Sequence, residues 1–270
     1  MLVEKISVLG CGWTGLPVAK ELNARGYVVK GSTTRIGKMG EVALSGTIPF
    51  IVLASPTLEG ERLSAFLDCS TLIITMPPPK KEGQPDWATL VHKSIIRNAI
   101  ASGVKKVVLF SSTSVYPNLN RAVKEEDAVN QASAHSGIDI KAIEDLYLAQ
   151  DAFEVLVTRF GGLFGPGRHP GRFMRNGNSI SCSESPVNLV HQTDVVNAVL
   201  YLIQQGCKGI YNVCSPEHPT RNVFYSAAFK DLGMEGIEGD QKSCEFKEVS
   251  SEKLIEAGYQ FYYSNPLMYF

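Results

Sequence analysis

Short apolar runs alternate with longer amphipathic stretches through the first half of the chain. The apolar runs predict five β-strands, at Ile6–Leu9, Tyr27–Gly31, Phe50–Leu53, Leu72–Thr75 and Val107–Phe110. Apolar positions at helical spacing predict a helix at Leu16–Arg25, closed by Gly26, and a second running roughly from Trp87 to Ala101, closed by Gly103. Strands that are apolar throughout and alternate with helices are typical of a parallel sheet covered on both faces.

The second half of the chain is less regular. Its pattern predicts helices at Glu144–Leu148 and Val195–Gln204, strands at Val155–Arg159 and Gly209–Val213, and a Gly-, Pro- and Arg-rich loop from Gly161 to Asn178. We therefore predict an α/β fold, a Rossmann-type doubly wound parallel sheet with a small C-terminal substrate lobe. The predicted NAD(P)-binding domain comprises residues 1–162 and 187–214, and the lobe comprises residues 163–186 and 215–270.

Charge and composition narrow the choice of partners. The chain of 270 residues has a formal net charge of −1, so nothing predicts a general attraction to nucleic acid or to an anionic membrane. The apolar run near the N-terminus leads directly into the first predicted strand and is too short for a signal peptide or a membrane span. We expect a cytoplasmic protein that binds neither nucleic acid nor membranes.

The cysteines and histidines give no sign of a metal centre. The six cysteines are Cys11, Cys69, Cys182, Cys207, Cys214 and Cys244. None forms a CxxC pair, and scattered cysteines in a chain of this size predict reduced thiols. The histidines lack ligand spacing and no HExxH motif occurs, so no metal site is predicted.

The segment Gly10-Cys11-Gly12-Trp13-Thr14-Gly15 lies between a predicted strand and a predicted helix. In this context Gly10 allows a tight turn, Gly12 lets a pyrophosphate approach the backbone, and Gly15 lets the helix pack on the strand. The helix N-terminus adds N–H groups and a partial positive charge. All six residues are predicted to contact NADP(H) or NAD(H). The alternative is a merely structural strand-turn-helix.

The end of the second strand bears on the choice of cofactor. NAD sites usually carry a carboxylate there for the ribose 2′-hydroxyl, but this chain has Thr33, Thr34 and Arg35 after Gly31-Ser32. A guanidinium binds phosphate through a fixed fork of donors, so this ending favours NADP over NAD. The alternative is a solvated loop in which Arg35 is incidental.

Four further stretches carry a family resemblance. They are Phe110–Tyr116 (FSSTSVY), Arg159–Arg168 (RFGGLFGPGR), Val187–Val195 (VNLVHQTDV) and Gly209–Val213 (GIYNV). Over nearly its whole length the chain resembles the extended short-chain dehydrogenases/reductases of the NAD-dependent epimerase/dehydratase family. The runs SSTSVY, GPGRHPGRF, NLVH and RNVFY are similar to its bacterial, atypical YeeZ-like subgroup. Because extended members often dimerise through a helix pair, the resemblance also implies a homodimer.

The resemblance implies a catalytic set that this chain has only in part. Ser112 matches the Ser or Thr that polarises a substrate oxygen in active members. With Glu144 aligned on the Glu that commonly follows the catalytic Lys, Ser136 and Ile140 stand where the family has Tyr and Lys. In active members the lysine lowers the tyrosine pKa. Because this chain lacks both residues, the resemblance does not imply ordinary epimerase or dehydratase chemistry.

Other alignments do not restore the pair. A register that fits Lys141 to the lysine puts Gly137 in the tyrosine position. His135 is a candidate acid or base from its chemistry alone, against the alternative of a solvated loop histidine. Tyr147 lies six residues after Lys141, off its helix face, and is predicted to be a packing or surface residue. Tyr116 is also predicted to be structural.

Residues at strand ends supply further candidates. Ser111, Ser112 and Thr113 end a predicted strand at the edge where open α/β sheets bind ligands, so we predict contact of Ser111 with the cofactor and of Thr113 with the substrate. The alternative is that these hydroxyls cap a turn. Thr75, Met76 and Pro77 follow another strand and are predicted to contact the adenosine half of the cofactor.

An arginine-rich loop is the candidate substrate-binding segment. Arg168, Arg172 and Arg175 are predicted to grip an anionic substrate through bidentate phosphate pairing, and Arg221 is a weaker candidate. The alternative is an exposed, solvated loop. Asp194, near a helix start, is predicted to be an N-cap.

Two functions remain open from the sequence. The first is an NADP(H)-dependent oxidoreductase or epimerase-like enzyme that acts on a sugar nucleotide or a similar anionic small molecule, with Ser112 holding a substrate oxygen. The second is a non-catalytic NADP(H)-binding sensor or scaffold. The missing Tyr and Lys favour the second, and the arginine loop favours the first.

Overall fold

The computed structural model describes residues 4–133, 137–174, 180–234 and 239–270. The strands are β1 (Lys5–Leu9), β2 (Val28–Thr33), β3 (Ile48–Ile51), β4 (Leu53–Ala54), β5 (Leu58–Glu59), β6 (Thr71–Ile74), β7 (Lys106–Ser112), β8 (Arg121–Val123), β9 (Glu154–Phe160), β10 (Gly162–Phe164), β11 (Leu189–His191), β12 (Gly209–Val213) and β13 (Lys247–Val249). The α-helices are α1 (Gly15–Ala24), α2 (Met39–Leu44), α3 (Leu63–Leu67), α4 (Trp87–Ala101), α5 (Ile140–Leu148), α6 (Gln192–Gln204), α7 (Arg221–Asp231) and α8 (Glu252–Glu256). Short 3₁₀ turns occur at Ile36–Lys38, Thr113–Val115, Glu125–Asp127, Pro170–Met174 and Pro266–Tyr269.

Seven strands form one sheet in the order β12-β9-β7-β6-β1-β2-β3. The pairs β1–β2, β2–β3, β1–β6 and β6–β7 are parallel. The chain runs outward from β1 through β2 to β3, then returns to β6 on the other side of β1. The two halves of the winding therefore diverge between β1 and β6, the point at which open α/β sheets bind ligands. The predicted fold, a doubly wound parallel sheet, is confirmed.

The apolar strands and helix faces explain this architecture. All four residues of β6 are buried, as are the last four of β1. On α4, Ala88, Val91, Ile95 and Ala99 recur at helical spacing and form one buried stripe in the core cluster. Full burial of each large aliphatic side chain contributes about 1.5–3 kcal/mol. The helix bounds predicted for this segment agree with those of α4.

The described chain divides into two compact units. The first comprises the described residues of Met1–Ser111, Asn130–Thr158 and Val199–Ile210, and the second those of Ser112–Val129, Arg159–Ala198 and Tyr211–Phe270. The units are groups of residues in mutual contact, whereas the predicted domains are defined by function. The predicted domain boundaries therefore stay a prediction.

Several predicted boundaries require correction. The third predicted strand ends at Ile51 rather than Leu53, because β4 pairs separately with β5 in an antiparallel hairpin. The region after Ser215, where no helix or strand is predicted, contains the 11-residue helix α7. Its buried residues are Phe224, Ala228 and Phe229 among many polar ones, so its apolar periodicity is weak.

The prediction that all cysteines are reduced is wrong for two of them. Cys182 and Cys244 form a disulfide between positions 62 residues apart in the sequence. Such a pairing depends on tertiary proximity, which spacing alone does not encode. Among the described cysteines, Cys11, Cys69, Cys207 and Cys214 are free thiols. Across the described ranges, no helix combines the length and apolarity needed to cross a membrane.

A polar pair is enclosed within the first unit. The Nδ1 atom of His92 on α4 lies 2.8 Å from the hydroxyl of Tyr147 on α5, and both residues are essentially inaccessible to solvent. Burial lowers the pKa of the His92 imidazole to about 4 and raises the pKa of the Tyr147 hydroxyl. Tyr147 is therefore a packing residue, as predicted.

This buried histidine should make folding sensitive to acid. Because the pKa of His92 is about 4 when folded and about 6.5 when unfolded, the unfolded state takes up the proton first as pH falls. The unfolding free energy should therefore decrease between about pH 6.5 and 4, by roughly 3 kcal/mol in total for His92. Urea unfolding across this range measures the slope, and H92F should reduce it. His191, with its pKa also lowered to about 4, should leave a residual slope, and an unchanged slope in H92F would contradict the assignment.

Candidate functional site

The glycine loop joins β1 to α1 at the divergence point of the sheet. Gly10 has a φ of +108°, a left-handed conformation that L side chains rarely adopt. A Cβ added at Gly15 would lie 2.2 Å from the carbonyl oxygen of Gly10 and 2.5 Å from Oγ1 of Thr75. A Cβ at Gly12 would meet nothing within 4 Å. Two glycines are thus needed by the protein's own packing, whereas Gly12 leaves space on the open side of the loop.

Neighbouring strands hold the loop from both sides. The hydroxyl of Thr75 donates to the carbonyl of Gly10 at 2.5 Å. Ser32 accepts from the Gly10 N–H through its hydroxyl at 2.9 Å and from the Cys11 N–H through its carbonyl at 2.7 Å. β2 and the end of β6 therefore fix the loop's shape through side chains and backbone together.

A cleft of about 320 Å³ opens beside the glycine loop, within the first unit. It is lined by the loop, by the end of β2 and by apolar side chains; the lining residues are Leu9, Gly10, Cys11, Gly12, Ser32, Thr33, Thr34, Arg35, Lys38, Val52, Ala54, Met76 and Pro79. Seven predicted cofactor residues are thus brought together: Gly10, Cys11, Gly12, Thr33, Thr34, Arg35 and Met76.

The charge of the cleft lining is positive. Arg35 and Lys38 are its two charged members, and none of the lining residues is acidic. Lys38 is the last residue of the 3₁₀ turn after β2. This turn puts Lys38 in the cleft lining three residues after Arg35. Its ammonium lies 3.5 Å from the carboxylate of Glu41, an exposed pair. Sequence reasoning missed Lys38, although a basic residue at this spacing was the available signal.

Other predicted cofactor residues lie outside the cleft lining. Trp13 and Thr14 are half-buried at the start of α1, where Thr14 is an N-cap without a side-chain capping bond. Pro77 is exposed. Gly15 and Thr75 shape the loop, as described above, without lining the cleft. For these residues, contact with a cofactor stays a prediction.

The side chain of Cys11, a residue of the glycine loop, is buried. A Cβ at Gly31 would come within 2.5 Å of the Cys11 sulfur, so the thiol packs directly on β2. Burial raises the pKa of the Cys11 thiol to about 12. A thiol with so high a pKa is protonated at neutral pH and is a poor nucleophile.

At the end of β7, a serine meets a buried carboxylate. The hydroxyl of Ser111 donates to Oε1 of Glu144 at 2.5 Å, and Glu144 is completely buried on α5. Lys141, the nearest basic residue to the family lysine position, has its ammonium 2.8 Å from the carboxylate of Asp145. Ile140 is the first residue of α5. Ser136 and His135 lie outside the described residues.

In the second unit, Ser112 and Thr113 begin a 3₁₀ turn. The Ser112 hydroxyl accepts the N–H of Ser114 at 3.1 Å, so it caps this turn. Thr113 is buried. This is the capping geometry that was the alternative to a catalytic role, and the substrate roles of both residues stay predictions.

A buried network follows that turn. The guanidinium of the fully buried Arg159 donates to the hydroxyl of Tyr116 at 2.8 Å and to the carbonyl of Glu125 at 2.7 Å. The Tyr116 hydroxyl in turn donates to Oδ1 of Asn212 at 2.5 Å. Burial raises the pKa of Tyr116, which suits a structural role and not a proton donor at neutral pH.

The arginine loop is partly engaged with its own unit. Nε of Arg168 donates to the carbonyl of Leu163 at 2.9 Å, and Arg172 is exposed on the 3₁₀ turn Pro170–Met174. Nε2 of His169, between them, lies 3.0 Å from the carboxylate of Asp231 at the end of α7. Arg175 lies outside the described residues. Arg221 donates from Nε to the carbonyl of Ser181 at 2.9 Å.

The predicted N-cap role of Asp194 is wrong. Asp194 lies within the first turn of α6, is completely buried, and accepts the N–H groups of Tyr262 at 2.7 Å and Tyr263 at 2.9 Å. It also accepts the hydroxyl of Tyr259 at 2.8 Å. The carboxylate therefore anchors the C-terminal segment instead of capping its own helix.

Comparisons with known proteins agree with this architecture. The chain is 33% identical to the protein YeeZ of Escherichia coli strain K12, and the match covers 98% of both chains. In structure it is similar to a conserved protein of unknown function from Silicibacter pomeroyi DSS, with a TM-score of 0.78 and 21% identity over 99% of this chain and 96% of that one. It is also similar to MoeE5 in complex with UDP-glucose and NAD, with a TM-score of 0.75 and 18% identity over 98% and 96% of the two chains. No family model matches the chain.

The doubly wound parallel sheet, with a glycine loop at its divergence point, defines a Rossmann-type α/β protein. The similarity to the E. coli protein covers 98% of both chains and identifies the family. The chain belongs to the YeeZ family.

Gly15 is tightly packed and Gly12 is open, so alanine at these two positions should affect stability differently. G15A should destabilise the fold by about 1–3 kcal/mol, because its Cβ collides with backbone that cannot move without disturbing β1. G12A should change stability by less than about 0.5 kcal/mol, because its Cβ points into open space. Urea unfolding of both variants gives the comparison. Equal destabilisation would contradict the loop geometry.

Proposed function

We propose that the cleft beside the glycine loop binds a dinucleotide. The observation that carries this proposal is the open side of Gly12, which lies beside a cleft at the divergence point of the sheet while Gly10 and Gly15 are packed. An approaching pyrophosphate needs such a glycine and the N–H groups of the α1 N-terminus. The first turn of α1 contains no carboxylate that would repel phosphate. Val52, Ala54 and Met76 give the cleft apolar walls suited to a base.

The preferred cofactor in this proposal is NADP(H). Arg35 and Lys38 provide two cations where NAD sites usually carry a carboxylate, and the hydroxyls of Thr33 and Thr34 lie in the same lining. A ribose 2′-phosphate would receive charge-assisted hydrogen bonds there. MoeE5, a structural neighbour, holds NAD, so fold similarity alone supports a nicotinamide dinucleotide and the two cations support the 2′-phosphate.

Removing the cations should weaken NADPH binding selectively. Each charge-assisted bond to phosphate contributes about 1.5–3 kcal/mol, so R35A and K38A should each raise the Kd for NADPH about 10- to 100-fold. NADH affinity should change much less. Calorimetric titration of both cofactors measures this, with K20A, an exposed lysine on α1 outside the cleft lining, as the control. Equal loss for both cofactors would remove the 2′-phosphate role. Loss of both cofactors in G12A, with the fold unchanged, would support a pyrophosphate site at Gly12.

We further propose that the protein acts as an oxidoreductase or epimerase-like enzyme on a sugar nucleotide or similar anionic small molecule. A bound nicotinamide supplies the capacity to give and accept hydride. Within the chain, Ser112 is proposed to hold a substrate oxygen, with Thr113 and the arginines Arg168, Arg172 and Arg175 contacting the anionic substrate. MoeE5 binds UDP-glucose, which supports this substrate class by analogy of fold.

The alternative is a non-catalytic NADP(H)-binding protein. It is favoured by Ile140 at the family lysine position and by the pairing of Lys141 with Asp145. Without a cation nearby, a tyrosine or serine hydroxyl keeps a pKa too high for proton transfer at neutral pH. Glu144 is the titratable group in contact with a predicted site residue, Ser111, and is therefore the first candidate to test.

Turnover assays with NADPH and a panel of UDP-sugars separate the two proposals. An enzyme should give a change in nicotinamide absorbance or, for a redox-neutral epimerisation, a new sugar nucleotide by chromatography. S112A and E144Q should then reduce kcat by at least about 100-fold with little change in NADPH affinity. Tight NADPH binding without any product across the panel would favour the non-catalytic protein.

A further inference from the structure

A covalent and polar clasp joins two segments of the second unit. It consists of residues 180–186 and 239–244, which meet at the disulfide between Cys182 and Cys244, with Cα atoms 5.3 Å apart. A parallel bridge pairs Ile180 with Gly239, and the N–H of Glu184 donates to the carbonyl of Lys242 at 3.1 Å. The sulfur–sulfur bond is therefore one of several links between the same two segments.

The other links bring the sulfurs together independently of their bond. The Asp240 carboxylate accepts the N–H groups of Cys182 at 3.0 Å and Ser183 at 3.1 Å. The Ser185 hydroxyl accepts the N–H of Cys244 at 3.0 Å. With these bonds in place, two reduced thiols would remain neighbours, and reclosure would benefit from a high effective concentration.

Access to solvent distinguishes Cys244 from the described free cysteines, of which Cys207 is half-buried. Cys244 is exposed and Cys182 is half-buried, whereas the free thiols of Cys11, Cys69 and Cys214 are buried. A disulfide exchanges only when an attacking thiolate can reach one of its sulfurs. Cys244 offers that access.

We propose that Cys182 and Cys244 form a reversible thiol–disulfide site that exchanges with a low-molecular-weight thiol. The thiolate attacks the sulfur of Cys244; a mixed disulfide forms as the Cys182–Cys244 bond breaks, and Cys182 leaves as a thiolate that takes a proton from water. A second thiolate attacks the small-molecule sulfur of the mixed disulfide and releases Cys244. Two small thiols are oxidised to one disulfide, and the protein gains two thiols.

Reduction should affect the two segments unequally. Residues 181–185 are also held by the start of α7, since the N–H groups of Arg221 and Asn222 donate to the carbonyls of Ser185 and Ser183, each at 2.9 Å. Cys182 and Gln241 both have left-handed backbone conformations, with φ of 51° and 52°, which non-glycine residues rarely adopt. Opening the bond should therefore loosen residues 239–244 first.

Equilibration of the folded, full-length protein with glutathione buffers from fully reduced to fully oxidised tests the exchange. Free thiols are then trapped by alkylation and mapped by mass spectrometry. The proposal predicts that the Cys182–Cys244 crosslink opens and closes within this series, while Cys11, Cys69 and Cys214 never crosslink. A bond that stays closed in the most reducing buffer, or thiols that stay free in the most oxidising one, would overturn it.

Single variants test the direction of attack. With C182S, Cys244 should take up glutathione readily, and with C244S, Cys182 should take up several-fold less. The reverse order would overturn the assignment of Cys244 as the attacked sulfur. C207S, which removes a half-buried free thiol outside the pair, should leave the titration of the clasp unchanged. Limited proteolysis should cut residues 239–244 several-fold faster after reduction, and equal rates would contradict the predicted loosening.

The clasp does not depend on the proposed dinucleotide site. The residues of the clasp belong to the second unit and those of the cleft to the first. NADPH titration of the oxidised and reduced protein therefore reports separately on the two proposals. Failure of NADPH binding would leave the thiol result intact, and failure of the thiol exchange would leave the dinucleotide result intact.

Discussion

The close approach of the first turn of α1 to the end of β1 is the constraint on which the first unit depends. A Cβ at Gly15 would lie 2.2 Å from the Gly10 carbonyl, so the helix can pack at this depth only with glycine. The same carbonyl receives the Thr75 hydroxyl from the end of β6, across the divergence of the sheet. One oxygen thus fixes the helix, the loop and the neighbouring strand relative to one another. Gly12 lies in the same loop, and its outer face is open, since a Cβ there would meet nothing within 4 Å.

The second unit depends more on buried polar groups than on apolar periodicity. Arg159 is completely buried and satisfied by Tyr116 and Glu125, and Asp194 is completely buried and satisfied by the segment from Tyr259 to Tyr263. Removing one partner from such a group leaves a buried charged side chain short of a hydrogen bond, which costs about 1–3 kcal/mol or more. These networks therefore disfavour conformations in which a partner is displaced.

This difference between the units explains how far the sequence could be interpreted. The main strands of the first unit and its helices α1 and α4 were predictable because burial imposes a local, periodic pattern, and α4 was predicted with its observed bounds. The roles of Asp194, of Lys38 and of the Cys182–Cys244 pair were missed. Each depends on a turn or on a tertiary contact: Asp194 bonds residues 68 and 69 positions away, and the cysteines lie 62 apart. No local pattern encodes such contacts, whereas the glycine loop is local in sequence and could be found.

The residues proposed to bind the dinucleotide and those that bear on catalysis come from different elements of the fold. The cleft is formed by β1, β2 and the segment after β6, and none of its lining residues comes from α5. The absence of the family Tyr and Lys therefore does not alter the lining of the cleft. On α5, Lys141 is paired with Asp145, and the Glu144 carboxylate accepts the Ser111 hydroxyl at the end of β7. Ile140 stands at the family lysine position, so that position supplies no ammonium. Any proton transfer at this strand end must therefore proceed without the family lysine, and Glu144 is the acidic residue that already contacts the strand end.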